Sequence, residues 1–127
     1  MDELQRENKI SVLISHGPPR SKGPRAIDRA FEAGNVGDPG LALIIADNDV
    51  RFGLFGHILE AGGQASKDLA RGIWAKSGET HPRLYVNAGS ASSTPWTMHD
   101  GQASTGLGMI VRFGPAGASY QVIKLAP

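Results

Sequence analysis

Cysteine is absent from this sequence of 127 residues, which excludes disulfide bonds and thiolate metal sites. Neither sign of charge dominates, because 13 basic residues stand against 12 acidic ones and are interspersed with them. The chain therefore lacks the basic stripe that binds a nucleic-acid backbone, and extended nucleic acid is not an expected partner. No apolar run is long enough to span a bilayer and no leader-like segment is recognisable, so we expect a soluble, cytoplasmic protein with no membrane partner.

Aromatic residues make up only 6% of the chain, whereas glycine (17 residues) and proline (8 residues) are abundant. This composition favours a fold with many turns and loops over a helical bundle. The length suits one compact domain with a core of its own. We therefore predict a polar tail over residues 1–8 and a single domain over residues 9–127.

Five apolar or alternating segments predict β-strands, at residues 9–15, 50–55, 83–87, 105–113 and 119–125. The first is a continuous apolar run typical of a central strand covered on both faces, and it ends at His16. The second ends at Gly56-His57. Between the last two, Gly114-Pro115-Ala116-Gly117 has the chemistry of a hairpin turn.

Two short helices are predicted between the first two strands. Apolar residues fall at helical spacing over 27–31, and Gly34 is placed to end that helix. Asp38-Pro39 is typical of an N-cap followed by proline in the first turn, with an apolar face over 41–45 (Leu41, Ile44 and Ile45). Residues 61–72 are predicted to form a loop with at most one helical turn. The expected fold is α+β, with short helices over a mixed sheet and a C-terminal hairpin.

Four motifs lie in order at the ends of these elements. They are Ile14-Ser15-His16-Gly17-Pro18-Pro19, Gly34-Asn35-Val36-Gly37-Asp38-Pro39, Phe55-Gly56-His57-Ile58-Leu59-Glu60-Ala61-Gly62-Gly63 and Leu84-Tyr85-Val86-Asn87-Ala88-Gly89-Ser90. In order and spacing they are similar to the C-terminal motifs of calcineurin-like metallophosphoesterases. The resemblance covers nearly the whole chain.

The resemblance implies part of a four-layer αββα sandwich that holds two metal ions in loops at its strand ends. His16 and His57 match two histidine ligands of one metal, which would be a divalent transition ion such as Mn, Fe or Zn. Leu59 stands where the family has the second histidine of Gly-His-x-His, a ligand of the other metal. The remaining family motifs would all precede Ser11, so the site implied for this chain is incomplete.

The chemistry of such a site requires more than two imidazoles. A two-metal phosphoesterase clamps the phosphoryl oxygens and activates a bridging water, and a catalytic zinc centre usually keeps three protein ligands. Four further residues are candidates to complete a new site, although their spacing does not demand it: Asp28, Asp38, Glu60 and His99. In the alternative interpretation His16 and His57 are remnants whose rings hydrogen-bond at the starts of loops.

The remaining histidines and the tryptophans are also candidates for binding or catalysis, but they have simpler interpretations. His81 precedes a proline in a polar segment and is predicted to be exposed, and His99 is predicted to be a turn residue. Trp74 and Trp96 suit either a filled gap in the core or a surface on which a ligand base stacks.

Two classes of function follow. The first is a truncated metallophosphoesterase-like domain that is non-catalytic alone and acts as an assembly or binding module, which the loss of a ligand at Leu59 favours. The alternative is a metal-dependent phosphoesterase, acting on phosphomonoesters or phosphodiesters, that another chain completes. The predicted central strands need cover on two faces, and the predicted helices cover one. We therefore expect a homo-oligomer or a complex with a chain that supplies the missing half.

Overall fold

A mixed five-stranded β-sheet forms the centre of the computed structural model, which describes residues 9–125. Along the chain the elements are β1 (Val12–Ile14), β2 (Arg29–Ala30), β3 (Gly34–Asn35), α1 (Pro39–Asp47), β4 (Phe52–Phe55), a 3-10 turn (Leu59–Ala61), β5 (Ala65–Asp68), β6 (Ile73–Trp74), β7 (Leu84–Asn87), β8 (Trp96–Thr97), β9 (Ala103–Ser104), β10 (Leu107–Gly114) and β11 (Gly117–Lys124). The sheet has the order β1-β4-β7-β5-β6. The α+β class, with a mixed sheet and a C-terminal hairpin, is confirmed, although the described residues contain one α-helix rather than several.

The first three strands of the sheet run in the same direction. β1 pairs with β4 in parallel, with Leu13 opposite Gly53, and β4 pairs with β7 in parallel, with Gly53 opposite Tyr85. β5 and β6 run antiparallel to their neighbours. Gly53 leaves room for the ring of Phe55, because a Cβ at position 53 would lie 2.5 Å from that ring. The carboxyl ends of β1, β4 and β7 consequently meet at one edge of the sheet.

Both faces of the sheet are covered by apolar side chains. On one face Leu84 and Val86 pack with Tyr120 of β11 in the larger core cluster. On the other face Tyr85 packs with Ile45 of α1. Successive residues of β7 thus alternate between two cores, as the period of a strand requires. All four residues of this strand are buried, which is why its sequence is apolar without interruption until Asn87.

The predicted C-terminal hairpin is confirmed. β10 and β11 pair from Leu107 opposite Lys124 to Gly114 opposite Gly117, so Pro115 and Ala116 form the turn. His81 exchanges two backbone hydrogen bonds of 2.8 Å with Ala118, which attaches the hairpin to the segment that precedes β7. The hairpin therefore closes one face of the sheet rather than extending away from it.

The prediction of a helix that begins after Asp38 is confirmed. The Asp38 carboxylate accepts hydrogen bonds from Gly40 N–H at 2.7 Å and from Leu41 N–H at 3.3 Å, and Pro39 occupies the first turn. The predicted apolar face is only partly used, because Ile45 is buried whereas Ile44 is 52% exposed.

The helix predicted over 27–31 is wrong, because this segment forms turns and the short antiparallel pair of β2 and β3. Glu32 and Gly34 have positive φ angles of 67° and 84°, which no right-handed helix allows. The cause is Asp28, which is fully buried. Its carboxylate accepts hydrogen bonds from two backbone N–H groups at 3.0 Å and from Asn35 Nδ2 at 2.9 Å. Loop backbone groups thus satisfy the hydrogen-bonding capacity of the buried Asp28 carboxylate, and the segment does not form a helix.

Three further predictions are corrected. The predicted loop at 61–72 contains β5, whose Ala65 and Ser66 are buried but carry no β-branched or aromatic signal. The first strand, predicted to be central, is at the edge of the sheet, where Ile14 is 73% exposed. The uncovered face expected from these patterns is likewise wrong, since apolar side chains pack on both faces of the sheet, which ends at the edge strands β1 and β6.

The polar tail predicted at 1–8 lies outside the described residues. Between residues 9 and 125, no helix is both long and apolar enough to cross a membrane.

Candidate functional site

Two histidine rings lie side by side where β1 and β4 end. His16 Nε2 lies 2.9 Å from His57 Nδ1, and the ring centroids are 4.6 Å apart. Both side chains are exposed to solvent. Because β1 and β4 are parallel neighbours, their carboxyl ends deliver both rings to the same edge of the sheet. The structure thus brings together the two residues that the sequence placed at strand ends.

The backbone at His57 is held in an unusual conformation. Its φ of 67° lies in the left-handed region, which a residue with a Cβ seldom adopts. Gly56 N–H donates to the His16 carbonyl at 2.9 Å, and Ile58 N–H donates to the Gly56 carbonyl at 2.7 Å. Such a conformation persists where surrounding hydrogen bonds fix it. Glu32 and Asp49 also have positive φ angles, of 67° and 50°, so the backbone alone does not distinguish His57 from other turn residues.

Asn87, at the end of β7, connects this turn to the rest of the protein. It is fully buried, and its Nδ2 donates to the carbonyl oxygens of Ile58 and Ile27, each at 2.9 Å. Its Oδ1 accepts a hydrogen bond from Gly89 N–H at 2.9 Å. Both donor hydrogens of the amide are thereby used. Asn87 fixes the chain immediately after His57 without touching the ring. The sequence signal for it was a polar residue that ends an apolar strand.

The four residues proposed to complete the site do not converge on the histidine pair. Asp28 is engaged by loop backbone, and Asp38 caps α1. His99 and Glu60 are joined through their backbones, where the His99 backbone N–H donates to the Glu60 carbonyl at 2.6 Å. Across residues 9–125, no group of three or more His, Asp or Glu side chains is placed to hold one metal ion. These four are therefore not ligands beside His16 and His57 in this structure.

The separation of the two rings is that of a hydrogen bond rather than of two ligands of a tetrahedral metal ion. Zinc lies about 2.0–2.1 Å from a histidine nitrogen and prefers tetrahedral geometry, which places two such nitrogens about 3.3 Å apart. The observed distance between His16 Nε2 and His57 Nδ1 is 2.9 Å, which suits a hydrogen bond in which one ring donates to the other. Two nitrogens remain fewer than the three protein ligands of a typical catalytic centre.

The prediction for His81 is wrong, and neither tryptophan is among the residues of the two core clusters. His81, predicted to be exposed, is only 4% exposed, and its Nε2 lies 2.9 Å from the Lys76 carbonyl oxygen. His81 is buried because the hairpin attaches to its backbone. Its polar neighbours in the sequence gave no indication of this burial. Trp96 is half-buried and donates from Nε1 to the Leu59 carbonyl at 2.9 Å. Trp74 is more open, and the Arg25 guanidinium lies 4.0 Å from its ring centroid.

Comparisons of the chain with protein-family models, with curated proteins and with solved structures find no match.

Proposed function

We propose that this chain is a metallophosphoesterase-like domain that is non-catalytic alone and acts as an assembly or binding module. The observation that carries the proposal is the histidine pair. His16 and His57 meet at the ends of parallel strands, as the resemblance implies, yet no third ligand joins them among residues 9–125. A cytoplasmic location is part of this proposal and rests on the sequence.

The number of ligands argues against catalysis by the chain alone. Metal-assisted phosphoryl transfer needs an ion fixed firmly enough to polarise the phosphoryl oxygens and to lower the pKa of a bound water. Two exposed imidazoles supply part of one coordination shell, and the leucine at position 59 offers no ligand for a second metal. We infer a scaffold that retains the loops of the site and binds a partner through them or beside them.

A second candidate function is a metal-dependent phosphoesterase completed by another chain. It is favoured by the position of the pair, since His16 follows the edge strand β1 and a partner at that edge would lie beside it. In that complex His16 and His57 would hold a divalent Mn, Fe or Zn ion, which would supply Lewis-acid polarisation of a phosphomonoester or phosphodiester.

Metal analysis and an aryl phosphate assay on the purified chain test the proposal. We expect less than one equivalent of tightly bound transition metal, and turnover no faster than that of a variant carrying both His16→Ala and His57→Ala. Stoichiometric metal together with turnover that the double variant loses would overturn the non-catalytic function. Metal retained stoichiometrically only after a partner chain is added would favour the second candidate.

A further inference from the structure

A groove of about 400 Å³ lies between α1 and the segment that follows β5, on the opposite side of the fold's core from the hairpin. Its volume falls within the range of about 300–1,000 Å³ that is usual for small-molecule sites. Neither His16 nor His57 lines it. The groove is therefore separate from the histidine pair, and the reasoning about it does not depend on the function proposed above.

The floor of the groove is apolar and firmly packed. Ile45, Leu69 and Tyr85 line it and are each less than a tenth exposed. The Tyr85 hydroxyl donates to the Val50 carbonyl at 2.6 Å, so its polar end is already satisfied and its ring presents an apolar surface. Leu43 forms one wall and is 63% exposed. An apolar body in the groove would cover that side chain.

The rim of the groove is positively charged. Arg20, Lys67 and Arg83 line it with a single acidic residue, Asp68. Asp68 is already paired outward, because its carboxylate accepts the Arg71 N–H at 3.0 Å and lies 3.8 Å from the Arg71 Nε. The groove therefore has more positive than negative charge at its rim, and its carboxylate is engaged elsewhere.

The three cations differ in how far they are already neutralised. Arg83 is paired with Asp49. Arg20 donates from Nε to the Gly37 carbonyl at 2.9 Å, and it lies 4.0 Å from Asp28, a carboxylate that backbone N–H groups already hold. Lys67 is exposed, and no carboxylate in the stretch 9–125 lies within ion-pair distance of it. Lys67 is thus the cation with the most to gain from an anionic ligand.

We propose that this groove binds a small organic anion that has an apolar body and one carboxylate or phosphate head. The apolar body lies against Leu43, Ile45 and Leu69, and the head lies at the rim near Lys67 and Arg20. Burial of apolar area supplies most of the affinity. The rim cations set the sign of the charge that is accepted.

Titration of the chain with decanoate tests this, with decanol and decyltrimethylammonium as neutral and cationic probes of the same length. We expect saturable binding of decanoate below its micelle-forming concentration, at least ten-fold tighter than that of either control amphiphile. Amide shifts in the NMR spectrum of the unaltered chain should move at Leu69 and Tyr85. No saturable binding, equal binding of the three probes, or shifts confined to other parts of the fold would overturn the proposal.

Two matched pairs of variants locate the contacts. Ala46→Trp places an indole in the groove wall from an exposed position of α1, and we expect it to weaken decanoate binding at least ten-fold. Ile44→Trp adds the same ring to the same helix outside the groove and should leave binding unchanged. Lys67→Gln should weaken binding about two- to five-fold, as expected for an exposed ion pair. Lys76→Gln, outside the groove, should not. A decanoate affinity insensitive to Ala46→Trp would overturn the site.

Discussion

Replacing Asn87 by alanine tests whether one buried amide holds the turn that carries His57. The substitution removes two donated hydrogen bonds, to the carbonyl oxygens of Ile27 and Ile58, and one accepted from Gly89 N–H. Each such bond contributes about 1 kcal/mol net, and a partner left buried without a replacement loses more than that. Because Asn87 is fully buried, water does not readily take its place.

We therefore expect Asn87→Ala to lower the free energy of unfolding by about 3 kcal/mol, measured by urea denaturation monitored through tryptophan fluorescence. Asn48→Ala is the matched control, because Asn48 makes one exposed side-chain hydrogen bond, from Nδ2 to the Ile44 carbonyl at 2.9 Å. Its loss should cost less than about 1 kcal/mol. If the two variants lose the same stability, the bonds of Asn87 do not hold the fold and its positioning of His57 is refuted.

Gly117→Ala is expected to lower the free energy of unfolding by roughly 2 kcal/mol. The reason is that φ at Gly117 is 137° and a Cβ there would lie 2.0 Å from the His81 carbonyl oxygen. Gly114→Ala, at the other end of the same turn, meets open space and should be nearly neutral, so equal losses in thermal unfolding would contradict this reasoning. The hydrogen bond from Arg83 lowers the pKa of Asp49 below its ordinary 3.8, so the pair stabilises the protein above that pH and the contribution is lost as pH falls through the lowered pKa. Asp49→Asn should therefore lower the free energy of unfolding by less than about 1 kcal/mol at neutral pH and not at all once the Asp49 carboxyl is protonated. Urea midpoints of the variant and the unaltered chain, at neutral pH and at a pH below the lowered pKa of Asp49, measure this difference. Because β1 is an edge strand, sedimentation at micromolar concentration is expected to find an assembly rather than a monomer. A monomer that binds no apolar reporter dye would refute this.

Local signals were sufficient where a segment's structure depends on its own residues. The cap at Asp38 and the turn between Gly114 and Gly117 are such cases, since side chain and backbone interact within a few residues of sequence. Apolar strands such as β7 were also recognisable, because burial on two faces leaves no polar position before Asn87. The strand ends followed, and with them the meeting of His16 and His57.

Distant contacts decided what the sequence did not reveal. Asp28 has the same local pattern as a residue on an amphipathic helix, yet its carboxylate binds backbone seven and nine residues away and forces a loop. The sequence around His81 is typical of a surface residue. His81 is buried because it pairs with Ala118 of the hairpin, 37 residues further along the chain. β5 was concealed because Ala65 and Ser66 are small, and their burial comes from neighbouring strands rather than from hydrophobicity of their own.

The correction to β1 changes where a partner is expected to bind. Val12 packs against the core on the hairpin side and Leu13 against the core on the helix side, so the first two residues of this strand are covered from within the chain. Ile14, which shares a face with Val12, is 73% exposed. The strand also lies at the edge of the sheet, and an edge strand leaves alternate backbone groups available to another strand. His16 lies two residues beyond Ile14. A chain that added a strand at this edge would bring its own side chains beside the histidine pair, so that pairing of strands and completion of the ligand set would occur in one step.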